Sequence, residues 1–513
     1  MAEITRQEFL ALLGAGKRQF DARDLSGLDL NGLDLHTVTL SRADLSLTKL
    51  SEAKLEHANL FSANLNGANL NKAVLSGANL SQTRMALACL SEADLAEANL
   101  FRADLTGTDF TRACFNGTTL NRADLTGAVL AYVDLSQSNL SWALLRKADL
   151  NHAQLSQTNL SHARLSEADL SHANLAHANL ADADLTGAIL NGADLARSTF
   201  SRADLSHAQI IEANLVGIDL TQAKLIGTDL TGADLTQATL DNTSLSGANL
   251  TNANLTRANL ISVDLSGAIL RNTDLTEVKL VKNDLAGNDL TEAVLIGADL
   301  SEADLHKAKL AGADLSKANL NHANLESASL FSAKLREANL ADAKLKRADL
   351  NEANLTKAIL TNADLSKADL TQATLHDANL SKANLSEAKM EKAELIGAAL
   401  PDANLSEATL TEANLTEANL RNANLKKAKL GGAKLGKADL TAATLTGTDL
   451  SEANLAGADL TEANLNKADL SRADLSEAVL AGAVLTLAIV TNEQLARARS
   501  LEGAIMPDGT KHE

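Results

Sequence analysis

The sequence predicts an all-β solenoid, a four-sided coil of 20 residues repeated along one axis, with a short helix at each end. Three observations carry this expectation. First, of the 94 positions taken every fifth residue from Leu25 to Val490, 87 are Leu, and the others are Met85, Phe110, Phe115, Phe200, Ile210, Met390 and Val490. Second, 73 of the 94 positions two residues earlier are Ala, so a short extended piece puts Ala and Leu on one side. Third, the last position of each unit sorts into four columns in steps of 20. The column from Gly27 to Leu487 has ten glycines among 24 members, and the preceding column, from Ala22, has only Gly482.

A period of five suits neither regular element. In an α-helix five residues turn about 500°, which would carry successive Leu around every face. In a straight strand an odd period sends them to alternate faces. The chain must therefore turn after each unit, and turns of about a right angle close a square after four.

Composition narrows the class. Of 513 residues only 2 are Pro and 2% are aromatic, while 45% are hydrophobic. That much Leu buries a core, which argues against disorder. No apolar stretch of about 18 residues exists to span a membrane. The start has no basic-then-apolar leader, so a cytoplasmic location is expected. Net charge is −19, against general nucleic-acid binding, and Cys89 and Cys114 stand 25 apart, which gives no disulfide framework.

In chain order, Thr5-Arg6-Gln7-Glu8 reads as a capping box, so residues 5–13 are expected to form an amphipathic helix stopped by Gly14, in a capping segment 1–19. Residues 20–490 form the repeat body, reading Ala, Asn or Asp, Leu, Ser or Thr, and a variable corner residue. At about 4.8 Å per coil this body would be about 110 Å long. Thr491-Asn492-Glu493-Gln494 is a second capping box, opening a helix to about Arg499 in a closing segment 491–513. Leu501, Ala504 and Ile505 are expected to fold back on the last coil, Pro507-Asp508-Gly509 to turn, and Thr510 to Glu513 to fray.

Units such as Ala168-Asp169-Leu170-Ser171-His172 and Ala193-Asp194-Leu195 resemble the pentapeptide-repeat protein family, over about nine tenths of the chain. The resemblance implies a right-handed quadrilateral parallel β-helix with the central Leu and its Ala inward. Arg23, Leu28, Leu33 and Val38 depart from the Ala pattern near the start, and the pattern dissolves after Val490. The resemblance also implies a bacterial protein and two kinds of role. One is a rigid docking scaffold. The other is mimicry of duplex DNA by shorter, often loop-interrupted dimers that inhibit or protect type II topoisomerases such as gyrase.

Chemistry is sparse. A gap-free Leu core offers no pocket, and no nucleophile–base pattern or phosphate loop stands out, so no catalytic residue, metal or cofactor is expected. Gly14-Ala15-Gly16 is too short to hold a phosphate. His152 and His172, 20 apart, should stack on one edge, with His57 and His177 in another column, and solvated surface is the expectation for all four. Asn283 and Asn288 occupy inward Ala positions and should be hydrogen-bonded. The glycine column suggests a corner needing positive φ. The 32 Asp just before a central hydrophobe stand where Asn serves equally, so about half of the acidity is structural. Charge is uneven: residues 151–300 carry 18 acidic and 8 basic residues, and residues 301–450 carry 20 and 19.

Outward apolar residues are the candidate partner surface. Ile211, Val216, Ile226, Ile261, Val281 and Ile296 occupy the place after the central Leu where Ser or Thr is the norm, as do Phe61, Phe101 and Phe331. The sequence-based expectation is a non-catalytic scaffold, monomeric, docking an unnamed protein through 211–296. DNA mimicry is the alternative.

Overall fold

The computed structural model describes residues 2–513. Its contacts divide the chain into a unit ending at Asp264 and a unit beginning at Leu265. In the first, parallel bridges join residues 20 apart from Gln19↔Thr39 to Ser244↔Asp264; in the second, from Ile269↔Asp289 to Asp469↔Ile489. Each side of a coil is a single bridged residue, the one before the central Leu. Central Leu and inward Ala are buried throughout, as at Leu175, Leu195, Leu215, Ala173 and Ala193.

The five backbone N–H groups of one unit account for the sequence pattern. In Leu60–Asn64, Leu60 N–H donates to Asn79 O (2.8 Å) and Ser62 N–H to Ser81 O (3.0 Å), both on the next coil. Asn64 N–H donates to Ala43 O on the previous coil (2.9 Å). Ala63 N–H closes a turn onto Leu60 O (2.9 Å). The fifth, Phe61 N–H, has no backbone acceptor and donates to the Asn59 side-chain Oδ1 (3.2 Å). Asn or Asp before the Leu is thus the acceptor for the one donor the ladder leaves over. A Ser or Thr at that donor adds its hydroxyl to the same carboxylate, as Thr106 Oγ1 does to Asp104 (2.7 Å).

Four exceptions obey the same accounting. Where Lys49, Arg84 or Gln209 replaces the Asn or Asp, the next N–H but one, on Ser51, Ala86 or Ile211, donates instead to Asn31, Asn66 or Asn191 one coil earlier (2.8, 2.9 and 3.0 Å). Where Ala399 replaces it, Pro401 occupies the donor position and has no N–H to satisfy.

Corner residues adopt left-handed φ whether or not they are glycine, up to 71° at Gly287 and, in the others, from 52° at Ser332 to 63° at Trp142. With the turn bond this is the type II pattern, whose third residue requires positive φ. The expectation that one glycine-rich column marks the positive-φ corner is therefore corrected, because every column of corners has it. Steric cover explains part of the enrichment. A Cβ on Gly67 would lie 2.8 Å from Leu47 Cδ2, on Gly107 2.9 Å from Leu87 Cδ2, and on Gly227 2.9 Å from His207 Nδ1. Nothing in the packing explains Gly27, Gly127, Gly247, Gly267 or Gly287.

At the start, α1 (Arg6–Gly14) carries a reciprocal capping box, with Thr5 N–H donating to Glu8 Oε2 (2.7 Å) and Glu8 N–H to Thr5 Oγ1 (3.3 Å). Its buried Phe9 packs on Phe20 with ring centroids 4.6 Å apart. At the far end α2 spans only Asn492–Leu495, not to Arg499. Gln494 Nε2 donates to Leu470 O and Ala473 O (both 2.8 Å), so a side chain takes the place of the ladder N–H that Ala473 O would otherwise accept. The bridges beyond, Val479↔Ser500 and Val484↔Ile505, are 21 apart, because the helix consumes one extra residue. The tail is not frayed. It turns back, Ile505 pairs antiparallel with Lys511, and His512 N–H reaches Ala504 O (2.7 Å), occupying the edge of the last strand.

Candidate interaction surface

The exterior is built from three positions per unit: the bridged residue, the one after the central Leu, and the corner. Among the sequence candidates, Ile226 and Ile261 of the first unit and Val281 and Ile296 of the second are exposed, while Ile211 and Val216 are half-buried. In the 20-residue register Ile211, Val216, Ile226 and Ile261 fall on four different sides, so they are not brought together as one patch. Phe331 is exposed, and Phe61 and Phe101 are half-buried, with the Arg102 guanidinium 5.1 Å from the Phe101 ring.

The structure does bring together two columns of rings that sequence reasoning only half found. Tyr132 stacks on His152 (4.9 Å), and His152 on His172 (5.1 Å), with the Arg112 guanidinium 5.9 Å from the Tyr132 ring. On another corner Trp142 stacks on His162 (4.2 Å), which faces Asp182 (3.9 Å), itself paired to Arg202 (2.6 Å). Tyr132 and Trp142 are the chain's single Tyr and single Trp. The spacing of 20 was the available signal. Among the described residues no group of three or more His, Cys, Asp or Glu is arranged to hold a metal ion. Cys89 and Cys114 are free thiols.

Charges are also ordered by the ladder. Opposite charges one coil apart pair at Lys72–Glu92 (3.8 Å), Lys147–Glu167 (3.5 Å) and Lys224–Asp204 (3.7 Å) in the first unit. In the second they pair at Lys367–Glu387 (3.4 Å), Lys389–Asp369 (3.5 Å), Lys392–Glu412 (3.7 Å) and Lys427–Glu407 (3.6 Å). Lys367 and Lys427, two basic corners of one column, are thereby paired in place. The Arg202 side-chain bond holds the Asp182 carboxyl below its usual range. For Asp219 and Asp369 burial is the largest single influence and works against ionisation. The combined bonds from Thr221 and Ser201 at Asp219, and from Thr371 with the nearby Lys389 at Asp369, outweigh it, so both are held low.

Inside, Asn288 is buried, and its Nδ2 donates to Leu265 O (2.8 Å) and Ala268 O (3.0 Å), while Oδ1 has no partner. Asn283 is likewise buried. Inward hydroxyls use the same kind of acceptor, as Thr118 Oγ1 does with Leu95 O (2.8 Å) and Thr158 Oγ1 with Leu135 O (2.8 Å).

The profile described as Pentapeptide repeats matches successive stretches from residue 24 to residue 492. The chain belongs to the pentapeptide-repeat family. That family's fold is the right-handed quadrilateral β-helix. Among solved structures it is similar to HetL, a pentapeptide-repeat protein involved in heterocyst differentiation regulation from the cyanobacterium Nostoc sp. strain PCC 7120. Identity there is 32% over 52% of this chain and 97% of that one, with a TM-score of 0.24. It is similar to a trypsin-treated form of QnrB1, a plasmid-mediated fluoroquinolone resistance protein, at 20% identity over 33% and 86%, with a TM-score of 0.25. It is similar to Rfr23 from the cyanobacterium Cyanothece 51142 at 29% identity over 18% and 62%, with a TM-score of 0.17. No curated protein matches the chain. No helix among the described residues is long and apolar enough to cross a membrane.

Proposed function

We propose that this pentapeptide-repeat chain is a four-sided β-helix of 20 residues per coil, closed by short helical segments at 1–19 and 491–513. It serves as a non-catalytic rigid scaffold for protein–protein interaction. It acts as a cytoplasmic monomer, and its contact residues are drawn from Ile211, Val216, Ile226, Ile261, Val281 and Ile296. The observation that carries the choice of scaffold over DNA mimic is the pairing of opposite charges between coils, as at Lys147–Glu167 and Arg202–Asp182. A duplex mimic needs an unbroken line of negative charge, about one per 1.7 Å. Here Asp carboxylates such as Asp204 and Asp219 are also engaged by backbone N–H groups, which turns them toward the chain itself.

A gyrase supercoiling assay separates the two readings. The scaffold reading expects no inhibition and no quinolone protection. Either effect at sub-micromolar protein, abolished when carboxylates in 151–300 are neutralised, would replace it with mimicry. Photo-crosslinking from Ile226, Ile261 and Ile296 in the source cell should then yield a discrete protein adduct, and a blank at all three would remove that contact region.

A further inference from the structure

The chain has four Asn-Gly pairs at turns, Asn31-Gly32, Asn66-Gly67, Asn116-Gly117 and Asn191-Gly192, with Asn31 and Asn116 exposed and Asn66 and Asn191 half-buried. Because each Asn is followed by Gly, their intrinsic chemistry is the same, and the fold alone distinguishes them. We propose that Asn116 is a site of spontaneous deamidation to aspartate and isoaspartate, and that the other three are protected by the ladder.

Two independent features single out Asn116. The first is its amide. Asn31, Asn66 and Asn191 each accept an N–H from the next coil, from Ser51, Ala86 and Ile211 (2.8, 2.9 and 3.0 Å). The equivalent donor above Asn116 is Ser136 N–H, which is already held by Asp134 Oδ1 (3.0 Å). One N–H serves one acceptor here, so the Asn116 amide is left without a partner at an exposed position just before the corner.

The second is the attacking nitrogen. Gly32, Gly67 and Gly192 N–H groups donate to the next coil at 2.9, 3.0 and 2.9 Å, but Gly117 N lies 3.4 Å from Ser136 O. The cause is in the core. Phe110 and Phe115 replace Leu on adjacent sides of one coil and pack edge to face, with centroids 4.9 Å apart. Two oversized residues in one layer push the wall outward. Both following corners show it, since Arg112 N to Ala131 O is also long, at 3.2 Å, and the lengthening reaches Arg102 N to Asn121 O on the same coil, at 3.3 Å. A single Phe does not do this: after Phe200, Arg202 N to Thr221 O is 2.9 Å.

The chemistry needs only water. Gly117 N attacks Asn116 Cγ, and a C–N bond closes a cyclic imide as the Cγ–Nδ2 bond breaks. The Gly117 amide proton leaves with ammonia. Water then adds to either imide carbonyl, opening the ring to aspartate or isoaspartate. The product places a carboxylate next to the corner Gly117, which stacks over Glu97, whose Cγ would be 3.7 Å from a Cβ on Gly117.

Full-length protein held in mildly alkaline buffer and sampled by peptide mapping reads all four pairs at once. Asn116 is expected to gain about 1 Da first, at least about tenfold faster than the other three, as the missing amide bond and the lengthened Gly117 N–H bond together imply. In urea the four rates should converge. Phe115→Leu, which relieves the crowding, and Asp134→Ala, which frees Ser136 N–H to hold the Asn116 amide, should each slow the Asn116 reaction several-fold. Equal rates in the folded protein, or Asn116 lagging, would overturn the proposal. So would a fast Asn116 untouched by both variants, since the cause assigned here would then be absent.

Discussion

Coils between 101 and 200 and coils between 361 and 440 share one ladder but dress it differently. The earlier stretch places Thr118, Ser138, Thr158 and Ser198 on inward positions, puts two Phe in one layer, and lines corners with stacked rings. The later stretch has Ala at every inward position from Ala363 to Ala443. Its sides carry an amide file in which Asn424, Asn404 and Asn384 each donate to the residue 20 earlier, ending on Asp364 (2.9, 3.1 and 3.0 Å). The backbone bonds scarcely differ, apart from the widened corners at Arg102, Arg112 and Gly117. The lesson is that the ladder sets the geometry and the side chains spend the freedom left over.

The comparison breaks most visibly in the core. Leu385→Ala, in the uniform stretch, should lower stability by about 2–5 kcal/mol in denaturant titration, because a fully buried Leu leaves a cavity. Phe115→Leu should cost far less, since it also relieves crowding. If the two cost the same, the widened wall has another origin. A middle-sized effect is expected from Asn404→Asp. Asn404 donates to Asn384 and accepts from Asn424 and Ser406 N–H, so losing the donor should cost about 1 kcal/mol. No change would show that the amide file is decoration.

Acid should sharpen the same contrast. Because Asp369 is held below its unfolded value of about 3.9, its contribution is present above that pH and is lost as pH falls through the lower folded value. Thr371→Ala removes the hydroxyl bond to Asp369 (2.6 Å), so the Asp369 carboxyl should titrate at higher pH by NMR. An unmoved titration would deny the hydroxyl its role. The smallest effect is expected inside. Asn288→Ala deletes two donated bonds together with an unpartnered Oδ1, and Leu265 O keeps the Ala268 N–H (2.9 Å). The melting temperature should therefore stay or rise slightly, and a fall of many degrees would reveal a structural duty for Asn288.

Much of this was legible in the sequence because a period of five with Ala two before Leu admits few backbones. The need for Asn or Asp before the Leu was legible too, as a local side-chain acceptor. Left-handed corners were not, because residues such as Glu167 and Lys317 give no hint of positive φ, and glycine drew attention to one column instead. The relay from Asn31 to Ser51 was hidden as well, since it is visible only once the ladder shows which N–H is left over. The short α2 was missed because Gln494 bonds back to Leu470 and Ala473, a tertiary contact that overrides the helical reading of the residues after it. As for the partner surface, the sequence named the apolar residues, and its period of 20 already spread them over several sides, as the ladder bears out for Ile211, Val216, Ile226 and Ile261.

The self-contained accounting of donors within each five-residue unit has a consequence for how such a gene can change length. Within either unit, losing or gaining 20 residues removes or adds a whole coil and returns every later side chain to its former side. Losing five turns everything downstream by a quarter, so that a surface selected for one side is presented on the next while the core is untouched. Unequal recombination between near-identical repeats would thus produce viable folds with re-aimed exteriors. In such a protein a change of length is a rotation before it is a loss.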